Sequence, residues 1–547
     1  LEGKDRNMID ISIFRKTNPD GDNLTKLIQE NFDLVDYEEV NVEDNAFIKV
    51  NIKNEQSKYE RVINPPQSLL NCIDRNIMFR ILGQNGISYL RRSRRFIRRY
   101  YEVLVFDISI ISIKQRILGR VRNPINYIKQ VQCLEAAEMS KKAVYHLGLN
   151  FAMVKIALAA NKEYKVVNVD PSPSLRSKDL ENLIVKLKKI HQIEAVLMSE
   201  REVKLGADPE FMLSKSRKMV AASRYFPHHG RVGCDNVRTS NKQQRPIAEL
   251  RPQPSISPLE LTENVKAALV SAAKMAPHRN IKWVAGSQPF NGYPIGGHIH
   301  FSNTKLSFAV LRSLDNFVAI PLSMIENNRS ARRRRQRYGA LADYRIKKYG
   351  GFEYRTLGSW LVSPEITKAV LCLAKIAISC YLDLDQNYLA SVEAQRAFYK
   401  GDREYFKPIF ADLWSRITKT DIYPQYANEL QILCDMINDD LHWNEKDDIR
   451  KAWQMIGISE RKKSIYKKRT IRKKQTHIST SRNTRARKNH SRSSVVASRP
   501  RNNTVVARLS EYNNSRNRAA LSPGNQIGNR RFNSQRNSLR SSYTINI

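Results

Sequence analysis

Gly297-His298-Ile299-His300-Phe301-Ser302 alternates polar and apolar positions with a period of two. A strand through it sets both imidazoles and the Ser302 hydroxyl on one face. Three other short segments repeat the arrangement with different groups. Asp208 and Glu210 share a face in Gly206-Ala207-Asp208-Pro209-Glu210, and Glu249 and Arg251 do in Ala248-Glu249-Leu250-Arg251-Pro252. Glu353 and Arg355 do the same in Phe352-Glu353-Tyr354-Arg355. In one antiparallel sheet these segments would gather carboxylates, imidazoles and guanidinium groups on a single face.

Such a face is unfavourable unless something neutralises it. Hard divalent cations held by carboxylates and an imidazole do so, and they recruit phosphate oxygens. The arginines fit the same chemistry, because a planar guanidinium grips phosphate through two hydrogen bonds. Arg332, Arg333, Arg334, Arg335, Arg337 and Arg345 add positive charge just before Glu353. Taken singly, each pair is most often a solvated face or a surface ion pair. Their conjunction points to phosphoryl chemistry on a nucleotide with magnesium.

The motif order Gly-x-Asp-x-Glu-Phe, Glu-Leu-Arg-Pro, Gly-Gly-His-Ile-His-Phe-Ser and Phe-Glu-Tyr-Arg-Thr-Leu-Gly-Ser-Trp resembles the phage-associated carboxylate–amine ligases of type 2. That family lies within the glutamine synthetase and glutamate–cysteine ligase superfamily, and the resemblance spans about residues 203–380. It implies an α+β fold built on a curved antiparallel sheet of the glutamine synthetase-like type with flanking helices. It also implies ATP and Mg2+ as cofactors and an acyl phosphate that an amine converts to an amide. By position, Glu210, Glu249, His298 and Glu353 would be metal ligands. His300, Ser302, Arg337 and Arg251 would bind the nucleotide. Arg355 and Arg345 would neutralise the phosphoryl group, and Asp208 would serve as a further ligand or as a base for the amine.

Upstream, Ile63-Asn64-Pro65, the segment ending His146-Leu147-Gly148-Leu149-Asn150, and Val166-Val167-Asn168-Val169-Asp170 are similar to pieces of an ATP-grasp domain. That family's metal pair is Glu-x-Asn, whereas this chain reads Asn168-x-Asp170. A smaller α/β ATP-grasp-like remnant is therefore expected ahead of the ligase region. The expected divisions are a leading module at 1–60, the remnant at 61–200, the ligase domain at 201–458 and a disordered basic tail at 459–547.

The 547 residues carry 93 Lys and Arg against 53 Asp and Glu, a net charge of +40. Residues 461–547 hold 23 basic residues and one acid, Glu511, so +22 of that charge lies there. Such a segment buries too little apolar surface to offset its chain entropy. It supports a rival reading, a nucleic-acid or polyanion-binding protein using the tail and the arginines at 332–337 around an inactive ligase-like core. A metal-dependent hydrolase using the His-x-His pair is a third reading, disfavoured by the carboxylates and arginines. No membrane span is expected, since residues 366–384 come nearest and are broken by Lys368, Lys375 and Asp383. Six cysteines without a Cys-x-x-Cys pair argue for a reduced, cytoplasmic protein. The chain opens Leu1-Glu2-Gly3 and is expected to begin as a fragment. The expected partners are carboxylate and amine substrates (an amino acid, a peptide or a cell-wall fragment) and an anionic polymer on the tail.

Overall fold

In Ile9–Lys16 and Asn45–Ile52, apolar residues such as Ile11, Ile13, Val50 and Ile52 are fully buried and force strand pairing. A computed structural model describes residues 9–16, 23–54, 57, 59–91, 97–117, 126–200, 202–348 and 350–455. The basic tail expected at 459–547 lies outside the described residues. The first sheet joins β1 (Ile9–Lys16), β2 (Val35–Val42), β3 (Asn45–Ile52) and β4 (Tyr59–Ile63) in the order β2-β3-β1-β4. Its β1–β4 pair is parallel, and β4 runs across position 60.

The second sheet is antiparallel throughout. It joins β5 (Ile97–Phe106), β6 (Ser109–Ile117), β7 (Asn126–Tyr127), β8 (Phe151–Ala159) and β9 (Tyr164–Asp170) in the order β7-β6-β5-β8-β9. The helix Leu134–His146 covers one face with Ala136, Ala137, Ala143 and Val144. Gly148, at φ +83°, turns the chain out of that helix toward β8. Asn168 and Asp170 both lie on β9, where Asp170 accepts from the Ser172 amide at 3.0 Å.

The third sheet holds the sequence pairs. It contains β10 (Lys204–Lys215), β11 (Lys218–Val220), β12 (Val232–Cys234), β13 (Ile247–Leu250), β14 (Lys282–Val284), β15 (Gly297–Ser302), β16 (Tyr344–Ile346) and β17 (Phe352–Tyr354). The main order is β12-β13-β10-β15-β17-β16, every pairing antiparallel. Fold class is thus mixed α and β with antiparallel sheets around the site.

Helices close the other side. Ser257 caps Pro258–Met275 by accepting from the Glu260 amide at 3.4 Å. The Glu260 carboxylate accepts from the Ser255 hydroxyl at 2.6 Å, and that hydroxyl accepts from the Ser257 amide, so the cap closes through a relay. The chain from Phe308 to Ile325 is helical with a wide π turn at Asp315–Ala319. Pro321 has no amide proton for the Phe317 carbonyl, so the ladder loosens just before the proline. Among the described residues this segment, rather than 366–384, is the one long and apolar enough to span a membrane, and its side chains fill the core. One continuous core joins Val103, Val144 and Ile156 of the second sheet's layers to Phe301, Leu311, Phe352 and Leu373.

Candidate active site

The register sets the site. Across the third sheet Asp208 stands opposite His298, Glu210 opposite Glu249, His300 opposite Glu353, and Glu353 opposite Arg345. Residues two apart on each strand face the same way, so the facing rows stack into one polar surface. His298 Nδ1 lies 3.0 Å from Asp208 Oδ1 and 3.4 Å from Glu353 Oε1, and His300 Nε2 lies 3.1 Å from Asp208 Oδ2. Asp208, His298 and Glu353 are buried and His300 is half-buried.

These atoms are close without being aligned. Asp208 Oδ1, His298 Nδ1 and His300 Nε2 are shielded from water yet make no directed hydrogen bond. Buried polar atoms in that condition are costly unless another group satisfies them. One ligand atom from each of Asp208, His300 and Glu353 lies within 4.8 Å of the others, a spacing that suits a cation. The donor set fits a hard divalent ion, with carboxylate oxygen dominant and one imidazole. His298 borders this trio. Its Nε2 meets the Tyr338 hydroxyl, which also accepts from Arg355 Nη2 at 3.0 Å.

Cations ring the carboxylates. Glu353 contacts Lys347, Arg345 Nη1 at 3.5 Å and Arg355 Nε at 3.2 Å. Arg355 also lies 3.5 Å from Asp343. Glu249 pairs with Arg251, whose Nη1 donates to the Gly230 carbonyl at 3.1 Å. Glu210 accepts from the Gly296 amide at 2.6 Å, and a Cβ at position 296 would collide with the His298 ring. Ser302 ends β15 half-buried opposite Lys204, and Arg337 is exposed on the turn after the helix Asn328–Arg335.

Burial raises the Asp208 carboxyl, but His298 and His300 outweigh it and hold that group well below the usual range. Glu353 is likewise lowered: burial and Asp208 raise it, and His298 and Lys347 overcome them. Burial pushes Glu249 up to about 8, aided by Asp208 and Asp235 and opposed by Arg251. Burial and Asp235 raise Glu210 well above its ordinary value against the Gly296 hydrogen bond. The face thus holds two carboxylates kept ionised and two biased toward the proton.

The arginine run is divided between the interior and the surface. Arg334 and Arg335 are buried. Arg334 donates to the carbonyls of Ile295, Thr356, Arg355 and Leu357 at 2.5 to 3.2 Å, tying the entry of β15 to the exit of β17. It stacks on Tyr338, and Gly339, at φ +75°, leaves the space its guanidinium fills. Arg335 pairs with Glu326 and donates to the Phe398 carbonyl at 2.8 Å. Arg332 and Arg337 stay exposed. Tyr338, Lys347, Asp343 and Arg334 were not among the site residues the sequence pairs supplied. Lys347 had a signal, since it follows Arg345 at the same two-residue interval.

One family model bears on the same segment. Residues 205–455 match the phage phiEco32-like COOH.NH2 ligase-type 2 family. That stretch contains all four strand pairs and the helices that back them. Among solved structures, an ATP-grasp ligase, PsnB, complexed with minimal precursor is 13% identical, with a TM-score of 0.21 over 24% of this chain and 65% of that one. The macrocyclase MdnB from Microcystis aeruginosa MRC is 11% identical, with a TM-score of 0.20 over 28% of this chain and 83% of that one. A bifunctional glutathione synthetase from Pasteurella multocida is 10% identical, with a TM-score of 0.29 over 48% of this chain and 51% of that one. No curated protein gives a significant match.

Proposed function

We propose that this chain is an ATP- and Mg2+-dependent ligase that joins a carboxylate to an amine and releases ADP and phosphate. The observation that supports the reading is the convergence of Asp208, His300 and Glu353 beside Arg345, Lys347 and Arg355, inside the segment matched by the ligase family. Magnesium would neutralise phosphate charge and fix the triphosphate's orientation. Asp208, held ionised, suits a ligand role better than that of a base. Arg345, Arg355 and Lys347 would supply positive charge where the phosphoryl group transfers, and preorganised donors of that kind lower a barrier most.

The substrate carboxylate oxygen would attack the γ-phosphorus as its bond to ADP breaks. The amine nitrogen would then attack the acyl carbon, the bond to phosphate would break, and the nitrogen would shed a proton. The acid and amine are proposed to be an amino acid, a peptide or a cell-wall fragment. A curved sheet of the glutamine synthetase type is part of the same proposal. So is a reducing cytoplasmic setting, which the six free cysteines support. Charge alone supports contact between residues 461–547 and an anionic polymer. Incubation with Mg-ATP, hydroxylamine and pools of amino acids, peptides and cell-wall fragments tests the reaction. A hydroxamate formed with ADP is the expected result, and ADP-free or ATP-independent product would overturn it.

A further inference from the structure

Tyr354 lies between Glu353 and Arg355 on β17, so its side chain points away from the polar face, into the core. There its hydroxyl donates to Asp315 Oδ1 at 2.6 Å. Asp315 opens the π turn and is buried. Its Oδ2 accepts from the Ala342 amide at 2.8 Å, on the loop leading into β16, and from the Tyr145 hydroxyl at 2.8 Å. One carboxylate therefore anchors both short strands, which carry Arg345 and Glu353 and lead directly into Arg355. Each of those strands is three residues long, so ladder hydrogen bonds alone give them little rigidity. Tyr145 comes from the helix Leu134–His146, far upstream in the chain.

We propose that the upstream region acts as a positioning element for the carboxylate face, with Tyr145 completing Asp315 and Asp315 holding β16 and β17 in register beneath Glu353 and Arg355. Tyr145, Asp315 and Tyr354 are positioning residues here, and none touches the polar face. A carboxylate buried without full partners is unfavourable, so loss of the Tyr145 hydroxyl loosens Asp315 and with it both strands. The inference rests on the proposed ligase site only in its turnover and Mn2+ readouts.

The test uses the full chain with Tyr145→Phe and Asp315→Asn, each a near-isosteric change. Amide hydrogen exchange and Mn2+ calorimetry are read alongside hydroxamate formation. Exchange at residues 342–346 and 352–355 is expected to accelerate about 10-fold on loss of one buried hydrogen bond. Exchange in the β1–β4 sheet is expected to stay at the wild-type rate. Mn2+ affinity should fall about 10-fold in Asp315→Asn, the size seen when an orienting group behind a ligand is lost, and less in Tyr145→Phe. Unchanged exchange in both strands of Tyr145→Phe would overturn the proposal. Acceleration spread equally through the β1–β4 sheet would also overturn it, by showing a merely structural role. A wild type that forms no hydroxamate would instead sink the ligase reading, while the exchange result still decides this one.

Discussion

Asp208 of β10 and His298 of β15 are direct partners in the antiparallel ladder, and Nδ1 of the imidazole stands 3.0 Å from Oδ1 of the carboxylate. The second imidazole, His300, reaches the other oxygen of the same carboxylate at 3.1 Å. Asp208 thus sits at the centre of the polar face, with Glu353 on the far side of His298.

That centrality should make Asp208 the most sensitive position of the proposed cation site. In Asp208→Asn the charge goes while the shape stays, so Mn2+ affinity should drop by more than about 100-fold, beyond what loss of a supporting group costs. Glu210→Gln should cost much less, because the Glu210 carboxylate already accepts from the Gly296 amide. Calorimetric titration of both variants checks this. Equal losses would move the cation toward Glu210 and Glu249.

Arg355 should act on the transition state. Arg355→Lys keeps the charge and loses the planar fork that reaches Glu353, Asp343 and Tyr338 at once. The expected outcome is a kcat lowered about 100-fold, in line with loss of a preorganised donor. KM for ATP should change little. Steady-state ADP release under saturating acid and amine gives both numbers, and a rise in KM alone would mark Arg355 as a ground-state contact.

Much of this arrangement was legible because strand periodicity is exact. Two-residue spacing put Asp208 with Glu210, Glu249 with Arg251, His298 with His300 and Glu353 with Arg355, and all four segments pair in one sheet. A helix cap such as Ser257 before Pro258 is legible in the same way, since its chemistry is local. Arg334 was not, because nothing in a run of arginines says which one turns inward. Asp315 was hidden for the opposite reason: it lies in an apolar helix, and its partners Tyr145, Ala342 and Tyr354 come from three distant segments. The first strands were also obscure. Val35–Val42 carries mostly exposed polar residues, and only its pairing with Asn45–Ile52 makes it a strand.

Asp315 should leave a signature in stability against pH. Burial pushes its carboxyl up to about 7, against the hydrogen bonds from Tyr354, Tyr145 and the Ala342 amide and with help from Asp343. The folded state then binds a proton more tightly than the unfolded chain does. Its contribution is full below about pH 4, the unfolded value, and is lost as pH rises through about 7. Asp315→Asn cannot titrate, so its stability should fall less between pH 5 and pH 8 than that of wild type. Denaturant midpoints at several pH values in that window measure the difference. Parallel curves for the two proteins would place the proton elsewhere.

The last prediction separates the two roles within the arginine run. Arg334 donates to four backbone carbonyls from the buried side of the helix Asn328–Arg335, whereas Arg332 lies exposed on the same helix. Lysine at 334 has three donors on a single nitrogen and cannot span carbonyls on both sides of the strand junction. Arg334→Lys should therefore leave buried carbonyls unsatisfied and cost about 1–3 kcal/mol for each one stranded. Since Ile295 precedes β15 and residues 355–357 follow β17, the variant should also shift His298 against Arg355. Arg332→Ala should be neutral for stability, as exposed substitutions away from such contacts are. If the run served instead as a polyanion patch, Arg332→Ala would weaken salt-sensitive binding and Arg334→Lys, its charge intact, would not. Chemical denaturation together with a salt titration on a polyanion column distinguishes the outcomes, and a destabilised Arg332→Ala beside an unaffected Arg334→Lys would reverse the assignment.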